Sequence, residues 1–366
     1  MNQTQLILVG GFLGAGKTTL IGRVAQRLAE KGKRIGLITN DQATGLVDSQ
    51  LLRQGEWSVA EVAGSCFCCN FNGFIDAVKK VGVEDRADVV FAEPVGSCAD
   101  LSATILQPLK QYWRSEVRVS PLTVLADPAR LAAILKGENG GLHEDAAYIY
   151  RKQLEESDVI LITKTDTLTP EALESLKTET RAAFPASRVM AVSALQDQGI
   201  DAWLDDLAEH TEAGTRLLKI DYDRYAHGEA VLGWLNGAIR IHDAGCDGNA
   251  LLVDLMNGLQ SRIAAANLRV GHVKAIVENG FRYAVGNITG TISTLTFRGD
   301  AGTGDDLRLT INARVECSPE QLDELVHSAL DAAIAGKYAF DILDWRYLQP
   351  GRPNPTYRFD QVVDQT

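Results

Sequence analysis

A chain of 366 residues exceeds what one hydrophobic core usually supports, so we expect two domains. Its contents of 45% hydrophobic and 23% charged residues are typical of a globular protein in water. A formal net charge of -12 argues against nucleic acid or an anionic membrane as a partner, because both attract clusters of Lys and Arg. The chain starts without a basic region and contains no membrane-length apolar run, so neither a signal peptide nor a membrane span is predicted.

The first 214 residues alternate short apolar strands with amphipathic helices. This repetition predicts an α/β domain over residues 1–214, with a mainly parallel sheet covered by helices on both faces. A ligand then belongs at the carboxyl ends of the strands. The predicted strands are 6–9, 34–39, 89–92, 122–125, 159–162 and 189–192, and the predicted helices include 17–31, 99–110 and 170–184.

The pattern changes after a polar stretch at residues 212–216. Residues 307–315 alternate apolar and polar side chains with a period of two, which predicts an antiparallel strand with one face exposed. Ser318 and the residues that follow it match a capping box, which predicts a helix start. We therefore expect a smaller α+β domain over residues 215–366 that contacts a client or partner. Its other predicted elements are strands near 230–242, 270–278 and 281–297, a helix near 248–266 and an extended segment from 349, tethered to the surface.

A glycine-rich loop between the first strand and the first helix predicts a phosphate-binding site. Its backbone N–H groups can point at phosphate oxygens, Lys17 can reach the β- and γ-phosphates, and the Thr18 hydroxyl can hold Mg²⁺. A glycine turn that binds no nucleotide would lack this strand-to-helix context. The predicted binding residues of the loop are Gly11, Gly14, Ala15, Gly16, Lys17, Thr18 and Thr19.

A carboxylate and a glycine follow the strand at 89–92 and fit the far side of the same site. Glu93 can hold Mg²⁺ through its water, and Gly96 can offer its N–H to the γ-phosphate. The alternative for Glu93 is a solvated side chain at a strand end. Asn40 and Asp41 form a candidate mobile segment from which Asp41 can approach the Mg²⁺, although Asn-Asp is also common in turns. The predicted catalytic residues are Lys17, Glu93 and Asp41.

A second loop, Thr163-Lys164-Thr165-Asp166, is predicted to recognise the base. The carboxylate of Asp166 can accept two hydrogen bonds from guanine, a donor pair that adenine lacks, while the stem of Lys164 packs along the base. Ser193 and Ala194 follow the next strand and can offer a backbone N–H to the guanine oxygen. An ordinary strand-end loop remains the alternative for each of these short matches.

Cys66, Cys68 and Cys69 lie within four residues and form a candidate transition-metal site. Cys66 and Cys68 can point to the same side of an extended loop, and Cys69 joins them if the loop bends. Three thiolates favour Zn²⁺ or another soft or borderline ion over Mg²⁺. The fourth ligand is open between water, a client, a second subunit, Asp41 and Glu61, and the alternative to a metal site is three buried small hydrophobes. The other three cysteines are scattered, and without an export signal a reducing cytoplasm is expected.

Taken together, these motifs resemble the CobW-type GTPases, relatives of the nickel-insertion GTPases of urease and hydrogenase maturation. The resemblance covers about residues 5–210 and rests on four pieces. They are the phosphate loop Gly-Phe-Leu-Gly-Ala-Gly-Lys-Thr-Thr at 11–19, the Cys-x-Cys-Cys loop at 66–69, Glu-Pro-Val-Gly at 93–96 and Lys164-x-Asp166. Two features depart from the family pattern: Thr163 stands where the guanine motif usually has Asn, and the usual Gly-Cys before the cysteine loop is replaced by the run Gly64-Ser65-Cys66. A His-rich tract is also absent from the sequence.

The resemblance implies a GTP-dependent metallochaperone with weak GTPase activity. In such proteins GTP and Mg²⁺ order the cysteine site, and hydrolysis to GDP releases the ion, here Zn²⁺ or Co²⁺, to a client metalloenzyme or cofactor-assembly protein. A homodimer follows if two cysteine loops share ions. Two other functions stay open. One is a GTP-switched factor with structural thiols that assembles or reactivates a cofactor enzyme, such as a corrinoid enzyme, and the other is a small-molecule P-loop kinase or ATPase.

Overall fold

Two β-sheets organise the chain, one parallel and one antiparallel, as the sequence predicts. The computed structural model describes residues 3–41, 57–243, 245–289, 294–334 and 336–364, with the backbone alone for Asp41, Ala63 and Thr294. The parallel sheet is built from residues 4–191 and the antiparallel sheet from residues 233–348. The fold is therefore an α/β P-loop domain followed by a smaller α+β domain.

The strands of the parallel sheet are buried on both faces. Leu6 and Leu8 belong to the apolar cluster on one face, and Ile7 and Val9 to the cluster on the other, so the first strand reads as a continuous apolar run. The strands are β1 (Thr4–Gly11), β2 (Ile35–Asp41), β3 (Ser58–Ala63), β4 (Val89–Glu93), β5 (Val117–Val119), β6 (Thr123–Ala126), β7 (Val159–Ile162) and β8 (Arg188–Ala191). They lie in the order β3-β2-β4-β1-β6-β7-β8, with β5 beside β1.

Helices cover both faces of this sheet. Asp127 and Thr169 each accept a backbone hydrogen bond at a helix N-terminus, and a proline follows each of them, as predicted at 169–170. The α-helices of the domain and its connection are α1 (Lys17–Glu30), α2 (Phe71–Val78), α3 (Gln107–Tyr112), α4 (Pro128–Leu135), α5 (Glu144–Glu156), α6 (Pro170–Ala183), α7 (Ile200–Glu209) and α8 (Tyr222–Ala230). The segments Lys79–Glu84 and Ser102–Leu106 are π-helical, so only part of the helix predicted at 99–110 is α-helical.

The second domain is a six-stranded antiparallel sheet with two long helices on one face. The sheet has the order β13-β12-β11-β15-β9-β16, and the predicted strand at 281–297 is two strands, β12 and β13. The bounds are β9 (Gly233–Ile241), β10 (Cys246–Asp247), α9 (Gly248–Ala265), β11 (Val270–Asn279), β12 (Arg282–Thr289), β13 (Thr294–Asp300), β14 (Thr303–Gly304), β15 (Leu307–Val315), α10 (Pro319–Ile334) and β16 (Phe340–Leu348). Strands β10 and β14 form a separate pair.

The polar face of β15 is partly buried, which differs from the predicted exposed face, although Arg308 at its start is exposed. Leu309, Ile311 and Ala313 pack under α9 and α10 as expected, but Thr310 is fully buried and Arg314 is only 5% exposed. The reason is that this face turns toward the first domain, where polar side chains line a shared cavity. The strand and its period of two were predicted correctly from the sequence. The burial of its polar side chains depends on how the two domains pack.

The segment after β16 crosses back to the first domain. Residues 349–364 form neither helix nor strand. The guanidinium of Arg358 donates to Asp100 at 2.7 Å, and the backbone N–H of Phe359 donates to Ala103. The segment is extended and tethered, as predicted. No helix in the described part of the chain combines the length and apolarity that a membrane crossing requires.

Candidate functional site

A cavity of about 340 Å³ lies between the two domains at the carboxyl ends of the parallel strands. The first domain contributes the glycine-rich loop and the strand ends that the sequence singles out. The second domain contributes the polar face of its sheet. Eleven of the predicted binding residues line this cavity: Gly14, Gly16, Lys17, Thr18, Thr19, Glu93, Gly96, Thr163, Lys164, Asp166 and Ala194.

The glycine-rich loop is shaped by its backbone. Gly11 has a φ of +128°, and a Cβ there would lie 2.5 Å from the carbonyl oxygen of Leu125, so the strand can turn at this point only with glycine. Helix α1 starts at Lys17, directly after Gly16. The Nζ of Lys17 donates to the Gly11 carbonyl at 2.8 Å, which holds the ammonium over the loop. A helix start with an ammonium beside it is an arrangement that favours an anion.

Oxygen atoms suited to Mg²⁺ lie beside the lysine. The Thr18 hydroxyl donates to Glu93 Oε1 at 3.1 Å, and Lys17 Nζ lies 3.9 Å from the same oxygen. All three side chains are buried at the cavity wall. A hydroxyl and a carboxylate are hard ligands of the kind that Mg²⁺ takes together with water and phosphate oxygens. The residues present therefore fit a nucleotide-bound Mg²⁺. The side chain of Asp41 lies outside what the structure describes.

Side-chain contacts of Lys164 and Asp166 hold the candidate base loop. Lys164 has a left-handed backbone with a φ of 52°, and its Nζ forms an ion pair with Asp127 Oδ2 at 2.8 Å. Burial raises the pKa of Asp127, but the ion pair with Lys164 outweighs it and the pKa falls below its usual value. Asp166 accepts a hydrogen bond from the Ser193 hydroxyl, so the two predicted base-binding loops meet. Sequence reasoning missed Asp127, which the sequence marks only as a helix cap before proline.

Thr163 braces the phosphate loop. Its hydroxyl donates to the carbonyl oxygen of Ala15 at 2.8 Å and is itself buried. A threonine makes this contact from the position where the guanine motif usually has Asn. The brace joins the base loop to the phosphate loop across 148 positions of sequence.

We expect Thr163→Val to lower the free energy of unfolding by about 1–3 kcal/mol, because a buried carbonyl loses its donor. Nucleotide affinity should fall as well, since the phosphate loop loses a fixed contact. Thr163→Ser keeps the hydroxyl and is the matched control. Urea unfolding and a nucleotide titration measure both effects. Equal stability of the Val and Ser variants would contradict the bracing role.

Asn40 connects the cavity to the cysteine loop. Its side chain lines the cavity at the end of β2. The Nδ2 group donates to the carbonyl oxygens of Val62 and Ser65, each at 2.8 Å, and Oδ1 accepts from the N–H of Phe67 at 2.8 Å. A single amide therefore fixes the chain on both sides of Cys66. The sequence marks Asn40 only as part of a candidate mobile segment.

The three cysteine sulfur atoms come together because the loop bends. Cys69 N–H donates to the Cys66 carbonyl at 3.0 Å, which closes a turn. The Sγ atoms of Cys66 and Cys68 are 2.9 Å apart, those of Cys68 and Cys69 are 3.9 Å apart, and all three lie within 4.8 Å of one another. Glu61 is not a member of this group. All six cysteines of the chain are free thiols.

The cysteine cluster favours one thiolate among neutral thiols. Hydrogen bonds from Cys68, Cys69 and Cys98 lower the pKa of Cys66. The same contacts with Cys66 raise the pKa of Cys68, and they raise that of Cys69 to about 11. Cys98 is buried beside the cluster, and its interaction with Cys66 raises its own pKa. A thiolate beside thiols that can lose their protons provides the sulfur ligands that a soft metal ion prefers.

The C-terminal segment covers this loop. Asn354 N–H donates to the sulfur of Cys69 at 3.2 Å, and Thr356 N–H donates to the Cys68 carbonyl at 2.8 Å. The Thr356 hydroxyl also donates to the Cys69 carbonyl at 3.2 Å. We define residues 354–356 as the loop cover. The sequence offers no signal for it, because the contacts span about 285 positions.

The second domain brings cationic side chains to the cavity. Arg298 on β13 donates to the hydroxyl of Thr19 at 3.1 Å. Lys274 and Arg314 line the same wall from β11 and β15.

Buried Arg130 on α4 of the first domain joins the two domains. It donates to the Leu13 carbonyl in the phosphate loop at 2.8 Å and also to two carbonyl groups of β11. Sequence reasoning missed all four residues.

Comparison with known proteins identifies the matching family. The model of the CobW/HypB/UreG nucleotide-binding domain matches residues 5–191, just over half of the chain. The zinc chaperone CobW of a Sinorhizobium species is 30% identical over 198 residues, which cover 47% of this chain and 54% of that protein. The zinc chaperone YeiR of Escherichia coli is 27% identical over 183 residues, covering 48% and 50%. The chain thus matches about half the length of these curated relatives.

Solved structures with related folds are more distant. The hydrogenase maturation factor HypB of Archaeoglobus fulgidus is 17% identical with a TM-score of 0.41 and covers 57% of this chain and 90% of its own. The Zn(II)-bound YjiA GTPase of Escherichia coli is 14% identical with a TM-score of 0.34, covering 90% and 99%.

Proposed function

Because the chain belongs to the CobW/HypB/UreG family, we propose that it is a GTP-hydrolysing metallochaperone that carries a transition metal on Cys66, Cys68 and Cys69. The cargo is Zn²⁺ or Co²⁺, the ions that suit a three-thiol set. The recipient is a client metalloenzyme or a cofactor-assembly protein. The zinc chaperones among the relatives support zinc as the first ion to test.

Asn40 is the observation that carries this proposal. A nucleotide in the cavity would act on the Asn40 amide directly, because this side chain lines the cavity wall. A metal ion on the cysteine loop would act on the same amide through its three hydrogen bonds to the chain on both sides of Cys66. A displacement of Asn40 would release the chain on both sides of Cys66. The two ligands can then change each other's affinity, and linkage requires the effect to be reciprocal.

The nucleotide half of the proposal assigns a role to each buried group. Lys17 would clamp the β- and γ-phosphates, and Thr18 and Glu93 would hold Mg²⁺, which neutralises charge that develops during phosphoryl transfer. Gly96 would offer its N–H to the γ-phosphate, and Asp41 would approach from the end of β2. Asp166 and Lys164 would select guanine over adenine. A preference for ATP over GTP in a binding titration would contradict this assignment.

The proposal is tested by a metal titration in three nucleotide states. Purified protein is titrated with Zn²⁺ and Co²⁺ without nucleotide, with GDP and with a non-hydrolysable GTP analogue, while thiolate-to-metal absorption is recorded. GTP turnover is measured in a separate assay with GTP, with and without the metal ion. We expect the metal affinities of the GTP-analogue and GDP states to differ at least tenfold, about 1.4 kcal/mol of coupling. Identical metal affinities in all three states would contradict the proposed release of the metal ion on GTP hydrolysis.

We expect Asn40→Ala to reduce this coupling to less than threefold while GTP still binds. The reason is that the cavity would keep its phosphate contacts but lose the amide that reaches the loop. Asn70→Ala is the matched control, because Asn70 caps α2 on the other side of the cysteines and does not line the cavity. A nucleotide effect that survives in Asn40→Ala would assign the coupling to another contact.

A further inference from the structure

A second group of metal-ligating side chains lies outside the site described above. It consists of His143 and Asp145 at the start of α5 and His227 on α8, with one ligand atom of each within 4.8 Å of the others. His227 Nδ1 lies 2.7 Å from Asp145 Oδ2, and the two imidazole rings are 5.1 Å apart in an edge-on arrangement. His227 is exposed and Asp145 is buried, so the group opens to solvent on one side.

Helix packing brings these three residues together. His143 caps α5, and its Nδ1 accepts the N–H of Asp145 at 3.2 Å. Gly228 follows His227, and a Cβ there would lie 2.4 Å from the Asp145 carbonyl oxygen, so α8 approaches α5 this closely only with glycine. The contact places His227 directly over the first turn of α5. His227, 82 positions after Asp145 in the sequence, thereby meets both His143 and Asp145 at the start of α5.

The carboxylate at the centre is oriented by two side chains, His227 and Arg224. Arg224 Nε donates to Oδ1 at 2.8 Å, while His227 uses Oδ2. The guanidinium therefore fixes one oxygen and leaves the other directed toward the imidazoles. An oriented carboxylate of this kind is a usual partner of histidine in metal sites.

We propose that His143, Asp145 and His227 form a second divalent-metal site, for Zn²⁺ or an ion of similar preference such as Co²⁺. Two imidazoles and one carboxylate with a side open to water are the ligand set of an open zinc site. On binding, the ion takes the place of the proton that His227 Nδ1 shares with Asp145 Oδ2, and that proton moves to Nε2 of the ring or, from a charged ring, to solvent. His143 Nδ1 gives up only the hydrogen bond that it accepts from the Asp145 N–H, which keeps its proton.

Such an ion would join α5 to α8. Helix α8 runs into β9 through Val231 and Leu232, so it connects the parallel sheet to the antiparallel sheet. A metal at this point would fix the connection and stabilise the arrangement that closes the cavity. This role is independent of the cysteine loop, since it uses no thiol and does not require the nucleotide.

The test uses full-length protein with Cys66, Cys68 and Cys69 all changed to Ser, without nucleotide, and Co²⁺ as the probe. We expect one Co²⁺ per chain with ligand-field absorption and no thiolate-to-metal band. His227→Ala or His143→Ala in this background should lower Co²⁺ affinity at least tenfold. His327→Ala is the matched control, because His327 pairs with Asp323 at 2.9 Å without a second imidazole, and it should leave the affinity unchanged.

The wild-type chain provides a second measurement that does not depend on folding of the triple variant. There, Co²⁺ titration should show a second equivalent whose absorption lacks a thiolate band and disappears in His227→Ala. Absence of such an equivalent in both proteins would overturn the site. So would a His227→Ala variant that is less thermally stable but binds Co²⁺ unchanged, because the three residues would then serve only to dock α8 on α5.

Discussion

Replacing Lys17 by alanine should lower GTP turnover by about 10²–10³-fold, the usual cost of removing one preorganised electrostatic contact from a reaction site. The ammonium is buried, fixed on the Gly11 carbonyl and 3.9 Å from Glu93. Without it, developing charge on the phosphates loses its principal cation apart from Mg²⁺. Phosphate release under saturating GTP measures turnover, and a fluorescent GTP analogue measures binding.

Lys31→Ala is the matched control for this change. Lys31 lies just after the C-terminal end of α1 and pairs with Asp201 at 3.1 Å on the surface. It should turn over GTP as the wild type does. If Lys17→Ala also kept more than half of the wild-type rate with unchanged affinity, the phosphates would have to be bound elsewhere. Circular dichroism excludes unfolding as the cause of lost turnover.

Changing Cys66 and Cys68 together to Ser should weaken Co²⁺ and Zn²⁺ binding at the cysteine loop by more than 100-fold. Loss of an outer-shell partner alone costs about 10–100-fold, and here two ligands are removed. The thiolate-to-Co²⁺ absorption band should disappear. In the wild type, affinity should increase with pH, because Cys68 and Cys69, with raised pKa values, must lose protons to bind the ion.

Cys317→Ser is the control for the cysteine pair. Cys317 is half-buried in the second domain, its pKa is raised to about 11 mainly by burial, and it lies outside the cluster. This variant should retain the Co²⁺ band and the affinity of the wild type. A Cys66→Ser/Cys68→Ser variant with unchanged metal binding would make these thiols structural. If that variant still activated its client, the assembly-factor function would be favoured.

Local patterns explain why much of the fold could be predicted. The phosphate loop is set by glycines at fixed spacing, the start of α6 by Thr169 and a proline, and β15 by a period of two. Each signal is complete within about ten residues. Strand β16 escaped prediction because its nine residues are mostly half-exposed or exposed and show no alternation. Pairing with β9 defines it as a strand.

The parts of the site that sequence could not predict are contacts between distant segments. The role of Asn40 depends on its hydrogen bonds to carbonyl groups 22 and 25 positions away, and only the pairing of β2 with β3 brings these groups near. Arg298 reaches Thr19 across 279 positions. Such contacts follow from strand pairing and from domain packing, and no local pattern in a single sequence indicates either of them. Many residues of the site could be predicted from the sequence, whereas the hydrogen bonds that connect them could not.

The loop cover makes the metal-binding unit discontinuous along the chain. A fragment cut at residue 214 would contain all three thiols but lose the N–H groups that contact Cys68 and Cys69. It would also expose the ring of Phe71, against which Tyr357 packs at 5.2 Å. Measurements on the isolated first domain would therefore underestimate how far the thiols are shielded from solvent in the intact chain. A client whose backbone N–H groups reached the Cys68 carbonyl and the Cys69 sulfur could replace the cover, and the proposed delivery would then begin with the exchange of one extended segment for another.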